Sequence, residues 1–510
     1  MSSLKQRTAS GLLWGGFSNG VVQLLGALFG FWLLKILEPS DYGKMAALVI
    51  FSNLASCLQE SGFTAALANK HEPSHEDYNA VFWFNILVGL TLYVILFFVA
   101  PLIADFYHEP VLVPLSRFVF LGFVVSALGT AQRAYLFGHL MVRQTSIALM
   151  TAITLSGIVG VALAYAGLAF WGLAAQSLVY VSIVTAVSWH FSPWRPTLPV
   201  SLRATLRPAW RMFGFSSKLL ANSIAFQFNN NAFGVLLKRF YLDGGYVAGI
   251  YSNARKWNDM AIATIGGMVQ SVAQPVLREA ASNANETRTV FRKLLRFTCF
   301  ISFPCLLGLA LIARDFVVVL LGGKWAESVP LLQMLCIYGA FSPIVTLYSN
   351  LVISRGRSTI NMIIGIANCI LVWAGIIAIH HLQSFNPSIF QSFNPSIFQS
   401  FNPSIFQSPT PLTIMVAYYV VLNISWLFVW QACARSLIDL RWRHALKDIL
   451  PFWLFAVTVT AAAWWFTTSM PLSIGRMFLR MAIAVTLYIG LLWLVRAKIL
   501  RESIDFIFKH

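Results

Sequence analysis

The sequence predicts an all-α integral membrane protein with about fourteen transmembrane helices, arranged as two six-helix lobes plus two C-terminal helices. Of its 510 residues, 58% are hydrophobic and 11% are charged, whereas a soluble domain carries roughly twice that charged fraction. Apolar runs long enough to cross a bilayer follow one another, and a repeat of roughly 200 residues divides the chain. These observations exclude a cytosolic globular enzyme and a disordered chain.

The apolar runs are bounded by charged residues, proline or glycine, and each is about 20 residues long, the length of a membrane-spanning helix. The fifth and sixth are separated only by residues 166 to 169, and the eighth opens with Arg255, Lys256 and Asp259. The predicted spans lie near 12 to 35, 43 to 64, 79 to 104, 112 to 137, 145 to 166, 169 to 191, 212 to 237, 247 to 275, 297 to 320, 329 to 353, 359 to 381, 411 to 433, 450 to 468 and 476 to 496.

The basic residues predict the orientation of the chain. Lys and Arg number 36 against 18 Asp and Glu, which gives a net charge of +18. With the amino terminus inside, most of these cations fall in cytoplasmic loops or at the inner ends of spans, as the positive-inside rule requires. We therefore expect both termini in the cytoplasm, with anionic membrane lipids as the partner of the loops. Nucleic acid is excluded as a partner because the cations come in short groups between apolar runs.

An internal repeat relates the two halves of the chain. Leu33-Leu34-Lys35, with Tyr42-Gly43 downstream, recurs as Leu236-Leu237-Lys238, with Tyr246 and Gly249 downstream. A second echo pairs Gly138 to Arg143 with Arg355 to Arg357. Chance similarity between apolar segments is the alternative. The repeat predicts one six-helix lobe at 1–211, a second at 212–440, and two extra helices with a tail at 441–510.

An octapeptide array interrupts the second lobe. Residues 383–408 read Gln-Ser-Phe-Asn-Pro-Ser-Ile-Phe three times and then Gln-Ser. The prolines at 387, 395 and 403 oppose a regular helix and favour an outer loop between spans eleven and twelve. Either the loop is a duplication that the surface tolerates, or its phenylalanines form a docking site.

Short motifs along the chain resemble those of a known family. In order and spacing they are similar to the colanic-acid-exporter-like branch of the Wzx-type flippases, within the multidrug, oligosaccharidyl-lipid and polysaccharide exporter superfamily. The resemblance covers about residues 5 to 440. The motifs are Glu60 to Leu67, Asn79 to Asn85, Ala100 to Tyr107, Trp194 to Pro196, Leu320 to Trp325 and Ser354 to Arg357.

This resemblance implies a bacterial inner-membrane flippase that works by alternating access. Its substrate would be an undecaprenyl-pyrophosphate-linked oligosaccharide for lipopolysaccharide, capsule or exopolysaccharide synthesis, handed on to a polysaccharide polymerase or export machinery. The sequence departs from the family pattern in two places: Glu60 replaces an Asp, and Arg255-Lys256 replace an aromatic and a neutral residue.

Cations inside a span are candidates for binding such a substrate, because they offset the cost of moving a pyrophosphate through an apolar slab. Asn side chains can bond sugar hydroxyls. The alternatives are an outer-loop position for the charges of span eight, an interface anchor for Arg133, and helix-to-helix bonding for the asparagines. Snorkelling to the headgroups is the expected role of Lys35 and Lys238. The substrate-cavity candidates are Lys218, Asn229, Asn230, Arg255, Lys256, Asp259 and Arg133.

Glu60 is the candidate for proton or sodium coupling, because it is an acid well inside a span of the first lobe. We expect no cofactor, no metal and no enzymatic activity, since the chain has no catalytic triad or phosphate-binding glycine loop, and His380-His381 stand as a lone pair. A cation-coupled multidrug exporter of the same superfamily is the alternative function. A membrane glycosyltransferase or polymerase is a more distant one.

Overall fold

The computed structural model describes most of the chain, with gaps in the loops, around span seven and in the octapeptide array. The described residues are 4–60, 67, 73–139, 141–198, 201, 205–206, 208, 224, 227–228, 231, 233–240, 244–279, 284–355, 357–385 and 411–495. Within these ranges every regular element is helical, which confirms the predicted all-α class. Most of the octapeptide array lies outside them.

The helices follow the predicted spans closely. Residues 233–240 are also helical, as the end of predicted span seven. The helices are α1 (Leu4–Ile36), α2 (Pro39–Glu60), α3 (His75–Tyr107), α4 (Leu112–Gly138), α5 (Val142–Tyr165), α6 (Ala169–Phe191), α7 (Gly244–Glu279), α8 (Ala284–Asp315), α9 (Ser328–Ser354), α10 (Ser358–Phe385), α11 (Pro411–Ser425), α12 (Leu427–Ile438), α13 (Trp442–Thr467) and α14 (Ile474–Leu494).

Eleven helical stretches among the described residues are long and apolar enough to cross a membrane. The chain is therefore a multi-pass membrane protein. The helices α2 and α7 fall short of that apolarity because they carry charges, among them Lys44 in α2 and Arg255 in α7. Large apolar side chains face outward on the spans, where lipid replaces water as the solvent; Leu24, Phe98, Trp465 and Trp493 are each 73 to 75% exposed.

The weakest predicted boundary, between spans five and six, is confirmed. After α5 the chain turns at Gly167, whose φ of 82° lies in the left-handed region that glycine adopts without strain. The Gly167 and Leu168 amides donate back to the carbonyls of Ala164 and Leu163, and α6 begins at once. At Gly172 the hairpin packs so closely that a Cβ would lie 3.2 Å from the Gly160 carbonyl oxygen.

The chain forms two compact units, Met1–Gly249 and Ile250–His510. In the first unit α3 packs on α4, α5 on α6 and α1, and α4 on α6. The segment after α6 is fixed to α3: the Trp83 indole donates to the Thr197 carbonyl at 2.9 Å, and the Thr197 amide donates to Asn79 at 3.1 Å. The predicted lobe boundary at 211/212 stays a prediction.

In the second unit α8 is central and packs on α9, α13 and α14. Asp315, at the end of α8, is fully buried and pairs with Arg476 at 2.8 Å and Arg480 at 2.9 Å, both on α14. Arg476 also donates to the Met470 carbonyl, and Arg480 to the Thr467 hydroxyl and the Leu311 carbonyl. This ion triad anchors the last helical hairpin to the core of the second unit.

Candidate functional site

Arg255 lies on α7, three turns after the helix begins at Gly244. Its guanidinium donates to the Asp259 carboxylate at 3.0 Å, the i to i+4 pair that the sequence predicts. The side chain of Arg255 is 24% exposed and that of Asp259 is 52% exposed. Asp259 is therefore the more exposed partner of the pair. Both residues lie on a regular helix, and whether that turn of α7 lies inside the bilayer or beyond its outer face stays a prediction.

Three tyrosines surround this ion pair. Tyr251, one turn before Arg255, is buried and accepts a hydrogen bond from the guanidinium. Tyr338 of α9 and Tyr419 of α11 stack edge to face with ring centroids 5.5 Å apart, and their hydroxyls are hydrogen-bonded. Both rings lie near enough to Arg255 to interact with it electrostatically. Arg255 therefore stands in a cluster of phenols contributed by α7, α9 and α11, which we call the tyrosine cluster.

The helical turn that carries Arg255 is held rigidly. The Trp257 indole donates to Asn253 at 3.0 Å, and Asn253 donates to the hydroxyl of Ser328, at the start of α9, at 3.0 Å. Trp257 also contacts Phe316 edge to face. Lys256 is half-buried, with its ammonium 5.4 Å from the centre of the Trp257 ring. This support fixes the direction of the charged face of α7.

Arg133 lies in the first unit, on α4. Its guanidinium donates to the carbonyl and hydroxyl of Ser126 and to the Thr130 hydroxyl, at 3.1 to 3.3 Å. A Cβ at Gly129 would lie 3.0 Å from Arg133 and 2.8 Å from Thr185 of α6, so the guanidinium lies along the seam between α4 and α6. Arg133 is half-buried and folded back on its own helix.

In the polar stretch of predicted span seven, Asn231 bonds to a residue one turn earlier and to a residue of α2. The Asn231 side chain donates to the Gln227 carbonyl at 2.8 Å and accepts from Asn53 of α2 at 3.4 Å. The neighbouring candidates Asn229, Asn230 and Lys218 lie outside the described residues. Glu60 is the last residue of α2, and its side chain also lies outside the described part.

The two repeat lysines differ from one another. Lys35 is exposed, with its ammonium 4.6 Å from the centre of the Phe31 ring, which fits the expected snorkelling position. Lys238 is 4% exposed and donates to the Glu109 carboxylate at 2.5 Å. The snorkelling interpretation is therefore wrong for Lys238, because an anion from the loop between α3 and α4 satisfies its charge within the protein.

The tyrosine cluster can bind an anionic group and a sugar at once. A guanidinium offers parallel donors to phosphate oxygens, and phenol rings offer flat apolar faces and hydroxyls. Among the described residues no group of three or more His, Cys, Asp or Glu side chains could hold a metal ion.

Sequence reasoning missed the tyrosines. The i to i−4 spacing of Tyr251 from Arg255 was the available signal, whereas Tyr338 and Tyr419 lie 83 and 164 positions further along the chain.

A multi-helix membrane fold with a partly exposed cluster of charges and tyrosines on α7, α9 and α11 is typical of a polytopic membrane transporter. Comparison with known proteins agrees with this class and narrows it. The chain belongs to the polysaccharide biosynthesis protein family, whose pattern it matches over residues 33–330.

Curated relatives come from several bacteria. The chain is 27% identical to the lipopolysaccharide biosynthesis protein WzxC of Escherichia coli, over 70% of this chain and 72% of that protein. It is 23% identical to the teichuronic acid biosynthesis protein TuaB of Bacillus subtilis, over 70% and 73%. It is 24% identical to the succinoglycan biosynthesis transport protein ExoT of Rhizobium meliloti, over 60% of each.

Solved structures share the fold. The lipid II flippase MurJ in an inward closed conformation superposes with a TM-score of 0.69 at 11% identity, over 98% of this chain and 100% of that one. A multidrug resistance MATE family transporter in an inward-facing conformation gives a TM-score of 0.55 at 16% identity, over 83% and 94%. These likenesses confirm a MurJ- and MATE-like transporter fold.

Proposed function

We propose that this protein is a bacterial inner-membrane flippase for undecaprenyl-pyrophosphate-linked oligosaccharides. It moves them from the cytoplasmic to the periplasmic leaflet for lipopolysaccharide, capsule or exopolysaccharide synthesis. Membership of the polysaccharide biosynthesis family supports the process. The names of the relatives from Escherichia coli and Rhizobium meliloti, and a fold shared with a lipid II flippase, support a lipid-linked saccharide as the substrate class.

The tyrosine cluster is the observation that carries the proposal. A pyrophosphate would replace Asp259 as the partner of Arg255, because it offers more anionic oxygens in the same fork geometry. The rings of Tyr338 and Tyr419 would then lie beside the first sugar. Lys256, one residue along α7, adds a second positive charge close by. Two neighbouring cations favour an anionic ligand over a cationic drug.

The transport cycle that we propose is alternating access, with both termini in the cytoplasm. Glu60, at the end of α2, is the residue through which a proton or sodium gradient would drive the cycle. No cofactor is part of the proposal. A polysaccharide polymerase or export machinery would take the product from the periplasmic leaflet.

Deletion of the gene tests the function. In the deletion strain we expect intact lipid-linked oligosaccharide to accumulate in the cytoplasmic leaflet and the surface polysaccharide to be lost. A leaflet-specific labelling assay on extracted lipid measures both and identifies the substrate by mass. A normal distribution with normal surface polymer would overturn the proposal and favour a drug exporter.

Complementation of the deletion strain tests the site. Arg255→Ala should fail to restore export at normal protein level, since it removes the fork that holds the pyrophosphate. Arg255→Lys should restore it only in part, because an ammonium keeps the charge without the paired donors. The matched control is Arg443→Ala, at an exposed arginine near the start of α13, which should export normally. Full export by Arg255→Ala would remove the tyrosine cluster from the mechanism.

A further inference from the structure

The repeat motifs meet at one end of the first unit. Gly43 lies near the start of α2 and Gly249 near the start of α7. A Cβ at Gly43 would overlap the backbone carbonyl of Gly245, and a Cβ at Gly249 would overlap the backbone carbonyl of Pro39. The two contacts are reciprocal, with each helix start presenting a glycine to the backbone of the other. Such an approach is possible only without side chains at these positions.

A buried ion pair lies beside the glycine contacts. The Lys238 ammonium donates to Glu109 at 2.5 Å and to the Gly43 carbonyl at 3.3 Å, and it lies 5.6 Å from the centre of the Tyr107 ring. The side chain of Lys238 is 2% exposed, whereas that of Glu109 is 25% exposed. One cation thus joins the end of predicted span seven to the start of α2 and to the loop between α3 and α4.

Further contacts tie the same segments together. The Arg239 guanidinium lies 5.5 Å from the centre of the Phe106 ring, the last aromatic but one of α3. A Cβ at Gly244 would overlap the carbonyl of Lys238, so α7 begins in contact with the residue that carries the ion pair. Four segments of the chain therefore converge on Lys238.

We propose that Pro39, Gly43, Glu109, Lys238, Gly245 and Gly249 form a latch that closes this end of the protein and must open in each transport cycle. With the amino terminus in the cytoplasm, α1 ends and α2 begins at the periplasmic face, so the latch is an outer gate. Glycine contacts and a buried ion pair suit a gate, because they form and break as a unit: once α2 and α7 part, water reaches Lys238 and the pair loses its strength. Only the role in transport rests on the proposed function.

Thiol labelling tests whether the latch closes the protein. A variant without native cysteines carries a reporter at Asn53→Cys, ten residues after Gly43 and so about 15 Å further along α2. A membrane-impermeant maleimide added outside the cell should label it slowly. Gly43→Val and Lys238→Met should each raise the labelling rate at least fivefold. The matched controls are Gly122→Val, where a Cβ would meet nothing within 4 Å, and Lys35→Met, at the exposed repeat lysine.

Cross-linking tests the same latch in protein with its glycines intact. Cysteines at Glu109→Cys and Lys238→Cys should be joined rapidly by a short bifunctional thiosulfonate, and a protease site inserted at residue 200 reveals the joined fragments on a gel. Single-cysteine variants are the controls. The joined protein should lose export, and reduction should restore it.

The proposal is overturned if labelling in folded Gly43→Val and Lys238→Met equals that of their controls, or if the cysteine pair does not react. It is also overturned if the joined protein still exports. Labelling and cross-linking involve no substrate, so they report on the latch even if the proposed substrate is wrong. Conversely, if the latch tests fail but Arg255→Ala still abolishes export, the flippase proposal stands.

Discussion

Asp315→Ala should strongly destabilise the second unit. It removes the one carboxylate that pairs with both Arg476 and Arg480, which are 8% and 4% exposed. Breaking a buried ion pair by removing one partner costs about 3 to 5 kcal/mol, because the remaining charge stays buried. Here two guanidinium groups lose their partner, and only backbone and hydroxyl acceptors remain to them.

A cost of this size should lower the melting temperature of the detergent-solubilised protein by on the order of 10 °C. The measurement is thermal unfolding followed by the loss of monodisperse protein on size-exclusion chromatography. The control is Asp105→Ala, because both acids follow a Leu-Ile-Ala sequence near the end of a long helix. Asp105 comes directly after Leu102-Ile103-Ala104, and Asp315 comes one residue after Leu311-Ile312-Ala313. Unlike Asp315, Asp105 is exposed. Equal melting temperatures for the two variants would refute the argument that the ion triad anchors the last hairpin. Restoration of stability by Asp315→Leu with Arg476→Leu and Arg480→Leu would support it.

Two further predictions concern the second unit. Tyr348→Phe removes the hydroxyl that donates to Gln431 at 2.5 Å in the core. It should lower the free energy of unfolding by about 1 to 3 kcal/mol, because the Gln431 oxygen is left buried without that donor. The melting temperature measures this loss, and Tyr418→Phe, at a more exposed hydroxyl, is the control. Deletion of residues 384–407 should leave export unchanged, since it removes three surplus octapeptides, and a fall in export at constant protein level would instead indicate a docking role for the array.

Much of the fold could be predicted because the apolar runs that form membrane-spanning helices are local features of the sequence. A run of about 20 apolar residues needs no distant partner to become a helix, since all its backbone hydrogen bonds are internal. The α5 and α6 hairpin illustrates this: only residues 166 to 169 separated the two predicted spans, and the turn occurs there, at Gly167. Charged helices such as α7 were harder, since their charges left both a span and an outer loop open, although the spacing of Arg255 and Asp259 predicted their ion pair.

Contacts between residues on different helices could not be predicted from such local patterns. Glu109 and Lys238 are 129 positions apart, and Asp315 and Arg476 are 161 apart, so no spacing rule connects them. The repeat placed Lys35 and Lys238 in equivalent positions, yet Lys35 is exposed, whereas Lys238 is buried against Glu109 from a neighbouring loop. The tyrosine cluster was missed for the same reason, since two of its rings come from other helices.

The ion triad has a consequence for the synthesis and membrane insertion of the protein. Asp315 leaves the ribosome 161 residues before Arg476, which at about 5 to 20 residues per second is a delay of roughly 8 to 30 seconds. During that interval α8 carries an acid without its cations, and a lone charge disfavours the lipid interior. The end of α8 should therefore settle only when the hairpin of α13 and α14 arrives, so a later helix completes the insertion of one made long before it.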